Sequence, residues 1–132
     1  MEPEKVYQIL KEELSKHRSI VFAYVFGSFV KYSEYAKDID IAVFVSGKIR
    51  RNFERELSLL LSRKLGKEVE VFVLNDKPLL FLSEVFRNCK LVFSRDERKR
   101  IAFESFVLPE IQDFNELIRI YNEARCKRYG IR

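Results

Sequence analysis

The sequence predicts an α+β protein: a small mixed β-sheet backed by helices, an α/β sandwich. Three observations point there. Ile20-Val21-Phe22-Ala23-Tyr24-Val25-Phe26 is an unbroken apolar, β-rich run, as expected of a strand buried on both faces. Two later stretches, Asp38 to Val45 and Glu68 to Leu74, alternate side chain by side chain as strands do. Stretches of helical periodicity lie around them, giving the order helix, strand, strand, helix, strand, helix, strand, helix, helix.

Each element has a local reason. Pro3 to about Lys16 reads as a helix because Val6, Ile9, Leu10 and Leu14 recur at helical spacing and Pro3 suits a first turn. Ile20–Phe26 is the first strand. Gly27-Ser28 breaks it, and Phe29 to Tyr32 is expected to form a short helical turn. Asp38 to Val45 is the second strand, with Ile39, Ile41, Val43 and Val45 on one face and Asp38, Asp40, Ala42 and Phe44 on the other; Gly47 ends it. Asn52 to Leu65 is a helix with Asn52 as N-cap and Gly66 as its stop. Glu68 to Leu74 is the third strand, alternating Val69, Val71 and Val73 against Glu68, Glu70 and Phe72. The turn Asn75-Asp76-Lys77-Pro78 leads into a helix over Leu79 to Arg87, and Leu91 to Phe93 is a short strand. Ser94 and Glu97 form a capping box that opens the next helix. Pro109 is expected to kink or break it. A final helix then runs from about Glu110 to Tyr129 and stops at Gly130.

With 132 residues, 47% of them apolar, the chain is read as one domain with a real core. The core spans about 1–94 and a helical extension about 95–132. Cys89 and Cys126 show no CxxC or Cys/His ligand spacing, which argues against a disulfide framework or a zinc site. The acidic start Met1-Glu2-Pro3-Glu4 lacks a signal peptide's basic region. The longest apolar run is too short to span a bilayer. The expectation is a cytoplasmic protein that does not engage membranes. A net charge of +5 fits a phosphate-bearing substrate, but gives no ground for direct nucleic-acid binding.

The chemistry concentrates in Gly27-Ser28 and Asp38-Ile39-Asp40. Carboxylates at alternate strand positions share a face, and gathering such charge in an apolar run calls for a positive partner. A divalent cation is the natural one. Mg²⁺ takes oxygen ligands, usually one or two carboxylates with phosphate oxygens and water. Nucleotidyl transfer joins a hydroxyl to the α-phosphorus of a nucleoside triphosphate and expels pyrophosphate, and a two-metal clamp suits that displacement. Asp38 and Asp40 would hold both ions. Glu70, in mid-strand, is the third carboxylate, and Glu68 ranks behind it. Gly27 lets the backbone approach a ligand, Ser28 offers its hydroxyl and N–H to phosphate, and Lys31 adds a point charge for the triphosphate. Each motif alone has an ordinary reading: a turn, a solvated strand face, an edge charge. Their conjunction in this order is far more specific.

Val25-Phe26-Gly27-Ser28 followed by Asp38-Ile39-Asp40-Ile41-Ala42-Val43 resembles the signature of minimal nucleotidyltransferases, the MNT branch of the polymerase-beta superfamily. Cys89-Lys90-Leu91-Val92-Phe93-Ser94-Arg95-Asp96, Phe103-Glu104 and Asp113-Phe114 resemble the tail of MNT proteins paired with HEPN toxins. The resemblance implies a nucleotidyltransferase fold and an antitoxin that uses ATP and Mg²⁺ to transfer AMP to a tyrosine of a HEPN ribonuclease. Gly27 and Ser28 would then hold the triphosphate, while Asp38, Asp40 and Glu70 bind metal. The toxin would be a separate chain, since His17 is the only histidine and has no HEPN motif around it. The chain departs from the pattern at Lys31 and its neighbours, where family members often carry Arg, at Lys37, often Ser, and at Glu70, often Asp. Two alternatives stand beside this reading: a stoichiometric binding antitoxin, and the catalytic subunit of a two-subunit small-molecule nucleotidyltransferase.

Other residues have plainer readings. His17 is a helix-end or exposed residue. Arg125, Lys127, Arg128 and Arg132 form a basic end, first a solvated helix terminus and second a partner contact. Phe81, Phe86, Phe103, Phe106 and Phe114 supply core, with some left to face a partner.

Overall fold

The computed structural model describes residues 2–128, with side chains placed through residue 126. The expected helix end at Tyr129 and Gly130, Arg132, and the side chains of Lys127 and Arg128 lie outside the described residues.

The chain folds as α1 (Pro3–Ser15), β1 (Ile20–Phe26), α2 (Ser28–Lys31), β2 (Asp38–Val45), α3 (Phe53–Leu65), β3 (Glu68–Val73), a 3-10 turn (Leu74–Asp76), α4 (Leu79–Arg87), β4 (Cys89–Ser94) and α5 (Glu97–Arg128). The strands form one mixed sheet in the order β3-β2-β1-β4, the α+β architecture that the sequence predicts. β1 pairs antiparallel with β2 and β4. β2 and β3 are parallel because α3 carries the chain back across the sheet between them.

β1 is buried at every position because both of its faces are covered. Ala23 and Val25 join Ile39, Ile41, Val43 and Val45 on one face, under Val6, Leu10 and Leu14 of α1 and Leu57, Leu61 and Leu65 of α3. Phe22, Tyr24, Phe26 and Ala42 form the other, under Leu82 and Val85 of α4 and Val107 and Ile111 of α5. Each fully buried aliphatic or aromatic side chain contributes roughly 1.5–3 kcal/mol, so this double-sided packing dominates the stability. Tyr24 keeps its polar end satisfied by donating to Glu104 Oε2 at 2.7 Å, and Arg100 bonds the same carboxylate at 2.6 Å.

The outer edge of β3 is closed by α3. The backbone N–H groups of Val69, Val71 and Val73 donate to Ser62 Oγ, Ser58 Oγ and Glu54 Oε2 at 2.9, 2.9 and 2.7 Å. Three donors that an edge strand would leave open are thus occupied. Asn75 closes the end of β2: its amide oxygen accepts from Val45 N–H and its amide nitrogen donates to Val45 C=O.

Four local expectations change. Asn52 precedes α3 as expected, but its side chain makes no capping bond and its backbone is not extended; Gly66 does stop the helix, in the left-handed conformation at φ +64°. β4 is longer than Leu91–Phe93, running from Cys89 to Ser94 along β1. Ser94 belongs to the strand, opposite Phe22, and its buried hydroxyl caps no N–H of α5. Asp96 does so instead, its Oδ1 accepting from the Lys99 N–H at 3.2 Å. Pro109 neither breaks nor ends the helix: α5 is continuous from Glu97 to Arg128. Val107 and Ile111, buried on either side of the proline, pin both segments to the sheet and outweigh the roughly 3 kcal/mol that an internal proline costs.

Beyond Ile111 α5 leaves the sheet. Leu117, Ile118, Ile120 and Tyr121 are all exposed, while Arg119 bonds Glu116 and Glu123 on the same segment. Among the described residues no helix is long and apolar enough to cross a membrane.

Candidate active site

The acids come together because of strand register. Asp40 stands opposite Phe26, the last residue of β1, and opposite Glu70 on β3. Asp38 stands opposite Glu68. All four acids rise from one end of neighbouring strands, on the face that also carries Ala42 and Phe72. Asp38, Glu68 and Glu70 are exposed, whereas Asp40 is half-buried. Loss of hydration, reinforced by the negative charges of Asp38 and Glu70, pushes the Asp40 carboxyl up to about 6. No basic side chain among the described residues forms an ion pair with Asp38, Asp40 or Glu70.

Gly27 joins this cluster directly. It follows β1 with φ +80°, a conformation that side chains disfavour. A Cβ there would lie 2.9 Å from Asp40 Oδ2. The glycine thus leaves a space beside the carboxylate that any other residue would fill. Ser28 opens α2 and is exposed. α2 begins at Ser28 rather than Phe29, so Ser28 belongs to the first turn. Lys31 is exposed too, its ammonium 5.5 Å from the ring centroid of Tyr32. It is on the loop flank of the cluster and not paired with its acids.

One supporting residue escapes sequence reading. The Lys67 ammonium donates to the Ala36 carbonyl at 3.0 Å and lies 5.5 Å from the Phe29 ring centroid. It ties α2, the segment before Asp38 and the start of β3 into one frame. Nothing in the sequence marks it, since a lysine after a helix-ending glycine looks like a solvated turn residue.

The donor set is chemically apt for a hard divalent cation: carboxylate oxygens, one of them half-dehydrated and raised by its acidic neighbours, beside a space kept open by Gly27. Among the described residues no three His, Cys, Asp or Glu side chains form a ready-made cage. Mg²⁺ rarely needs one, because substrate phosphates and water supply most of its ligands.

This fold and this placement of acids define a class, the nucleotidyltransferases. Residues 8–98 match the family model described as Polymerase beta, Nucleotidyltransferase, and the chain belongs to that family. No curated protein matches the sequence. Among solved structures, a chain of the complex between a tri-AMPylated Shewanella oneidensis HEPN toxin and MNT antitoxin is similar with a TM-score of 0.66 and 19% identity, over 90% of this chain and 98% of that chain. Another Shewanella oneidensis chain gives a TM-score of 0.69 at 18% identity, over 94% and 99%. A chain of a toxin–antitoxin complex with AMP-PNP gives 0.67 at 20% identity, over 95% and 98%. At such identities the likeness is one of fold.

Proposed function

We propose that this protein is an ATP- and Mg²⁺-dependent nucleotidyltransferase of the minimal (MNT) type, an antitoxin that transfers AMP to a tyrosine of a separate HEPN toxin chain. The observation that carries the reading is the juxtaposition of Gly27 and Asp40, with Glu70 in register across β3. The relatives named for an MNT antitoxin, an AMPylated HEPN toxin and bound AMP-PNP support it.

Asp38, Asp40 and Glu70 would hold Mg²⁺, which supplies charge neutralisation at the reacting phosphate when bound. Gly27 and Ser28 receive the triphosphate through close backbone approach and a hydroxyl. Lys31 adds positive charge on the same flank, without the bidentate grip of an arginine. Asp40 must be ionised to serve, so activity at limiting Mg²⁺ should fall as pH drops through about 6 and recover as more Mg²⁺ is added. The distal half of α5, with Leu117 and Tyr121 exposed, is the surface this reading gives to the HEPN partner. A purely stoichiometric antitoxin would use that surface and not the acids.

The test is incubation of the chain with ATP labelled at the α-phosphate, Mg²⁺ and a HEPN partner encoded beside it. The expected result is label on the partner with wild type and none with Asp38→Asn/Asp40→Asn. Protection by the double variant equal to wild type, with no label in either, would replace transfer by simple binding.

A further inference from the structure

The acids gather at one end of the sheet, and the opposite end is basic. There Ile20, at the start of β1, stands opposite Val45, at the end of β2, whereas Phe26 and Asp40 pair at the far end. Three segments meet at this basic end. The Ser46 N–H donates to the Ser19 carbonyl at 2.8 Å, and the Arg95 guanidinium donates to the carbonyls of Ser15, His17 and Ile20. Residues 15–19, 46–53 and 94–100 together carry nine lysines and arginines and two acids. The whole chain has a net charge of only +5, so the positive excess is gathered here and the remainder of the chain is net acidic. A modest total hides a strong local field.

Both acids of these segments are occupied. Asp96 accepts from the Lys99 N–H, and Glu97 pairs with Arg100. Two of the cations are occupied as well: Lys16 pairs with Glu13 at 3.2 Å and Arg50 with Glu56 at 2.7 Å. Arg18, Lys48 and Arg51 are exposed and form no ion pair among the described residues. Loops tied together by the Ser46–Ser19 bond thus present cations with no acid to answer them.

A cavity of about 240 Å³ opens at the same end, lined by His17, Arg50, Phe53, Glu56, Leu57 and Leu60. Arg18 and Arg51 are the chain neighbours of two of these residues. Leu57 is buried and makes an apolar floor. The His17 and Phe53 rings meet edge to face, with centroids 6.3 Å apart and planes at 89°. Because they do not stack on one another, aromatic surface remains for a third ring. The cavity is smaller than the roughly 300–1,000 Å³ that encloses a whole ligand. It suits one flat ring, with the charged part of the ligand outside on the cations.

We propose that this end of the sheet is a second nucleotide-binding site, separate from the candidate active site, with the base of a nucleoside phosphate in the cavity and its phosphate on Arg18 and Arg51. The base supplies the flat ring, the phosphate the negative charge, and the ribose spans from cavity to rim. A free nucleotide and an unpaired nucleotide of single-stranded RNA share this chemistry. The site does not depend on the nucleotidyl-transfer reading, since none of its residues belongs to the carboxylate cluster.

The experiment is an amide NMR titration of the full chain in EDTA, which denies the carboxylates their metal. The probes are 5′-AMP, single-stranded oligoadenylate and inorganic phosphate, each added to wild type, Arg18→Glu/Arg51→Glu and Arg18→Lys/Arg51→Lys. Both positions are exposed, so the variants should fold. The expected result is that 5′-AMP and oligoadenylate shift the amides of Phe53, Leu57 and Leu60 and leave Gly27 and Asp40 unmoved. Affinity should fall at least about tenfold on charge reversal and be largely kept in the lysine variant. Tighter, more salt-dependent binding of oligoadenylate would name RNA as the source, and equal affinity would name the free nucleotide. No shift at Phe53, Leu57 and Leu60, binding indifferent to charge reversal, or inorganic phosphate binding as well as 5′-AMP would each overturn the site.

Discussion

The sheet and the distal half of α5 are built on opposite terms. In β1 every side chain is buried and each face is answered by a helix. Beyond Ile111, α5 carries Leu117, Ile118, Ile120 and Tyr121 into solvent, held by helix hydrogen bonds and by the ion pairs of Arg119. Nearly all the folding free energy sits in the sheet and its covering helices, and so does the candidate site. On the proposed reading, rigidity is needed where the carboxylates meet a phosphate, because small misplacements there are costly. An apolar surface left open on a helix is of use for association. The candidate site and the exposed apolar helix face thus occupy separate parts of one short chain.

Changes in the sheet should alter chemistry, and changes in distal α5 should alter only association. The largest effect is expected at Asp40. Asp40→Asn should lower AMP transfer about 10³-fold, since metal-assisted charge stabilisation is worth several kcal/mol, while the protein stays folded by circular dichroism. Gly27→Ala comes next. Its Cβ would press on Asp40 Oδ2 at a positive φ, so denaturant titration should show a loss of about 2–3 kcal/mol, together with weaker nucleotide binding.

The pH dependence of stability separates Asp40 from Glu13, Glu97 and Glu116, whose basic neighbours hold their carboxyls below the usual range. The Asp40 carboxyl is raised in the folded state to about 6 from the usual 3.8. Between those values the folded chain binds more protons than the unfolded chain, so stability must fall as pH rises through the interval. The loss should be on the order of 2 kcal/mol, measured as Tm against pH without divalent cation, and absent in Asp40→Asn. Added Mg²⁺ should reverse it. In α5, Pro109→Ala should raise stability by about 1–2 kcal/mol, part of what an internal proline costs, with transfer unchanged. The smallest effect is Leu117→Lys: within about 0.5 kcal/mol by thermal melt, yet with measurably weaker capture of the HEPN partner in calorimetry. A melt that collapsed in Leu117→Lys would break the division between the two regions.

The same division explains what the sequence disclosed. The second strand reads correctly to the residue, because its side chains alternate in character from Asp38 through Val45 and Gly47 follows it. Asp38 and Asp40 on one face follow from that alternation, and their pairing with Glu68 and Glu70 follows from a parallel register that the helix between the strands makes natural. α5 misleads because its local signals are real but outvoted. Ser94 is a good cap, yet strand pairing with Phe22 holds it. Pro109 is a helix breaker, yet Val107 and Ile111 are anchored on both sides of it. Lys67 is invisible because its significance lies in the distant residues it faces, Ala36 and Phe29. Tertiary contact, not propensity, decides each case.

The most direct measurement is calorimetric titration of AMP-PNP into the wild-type protein and into Asp38→Asn/Asp40→Asn, with and without Mg²⁺. The account predicts binding by wild type that strengthens with Mg²⁺, and a double variant that stays folded but loses the Mg²⁺-dependent part. Equal, Mg²⁺-independent binding by both proteins would contradict it, since the paired carboxylates of β2 would then have no part in holding the nucleotide.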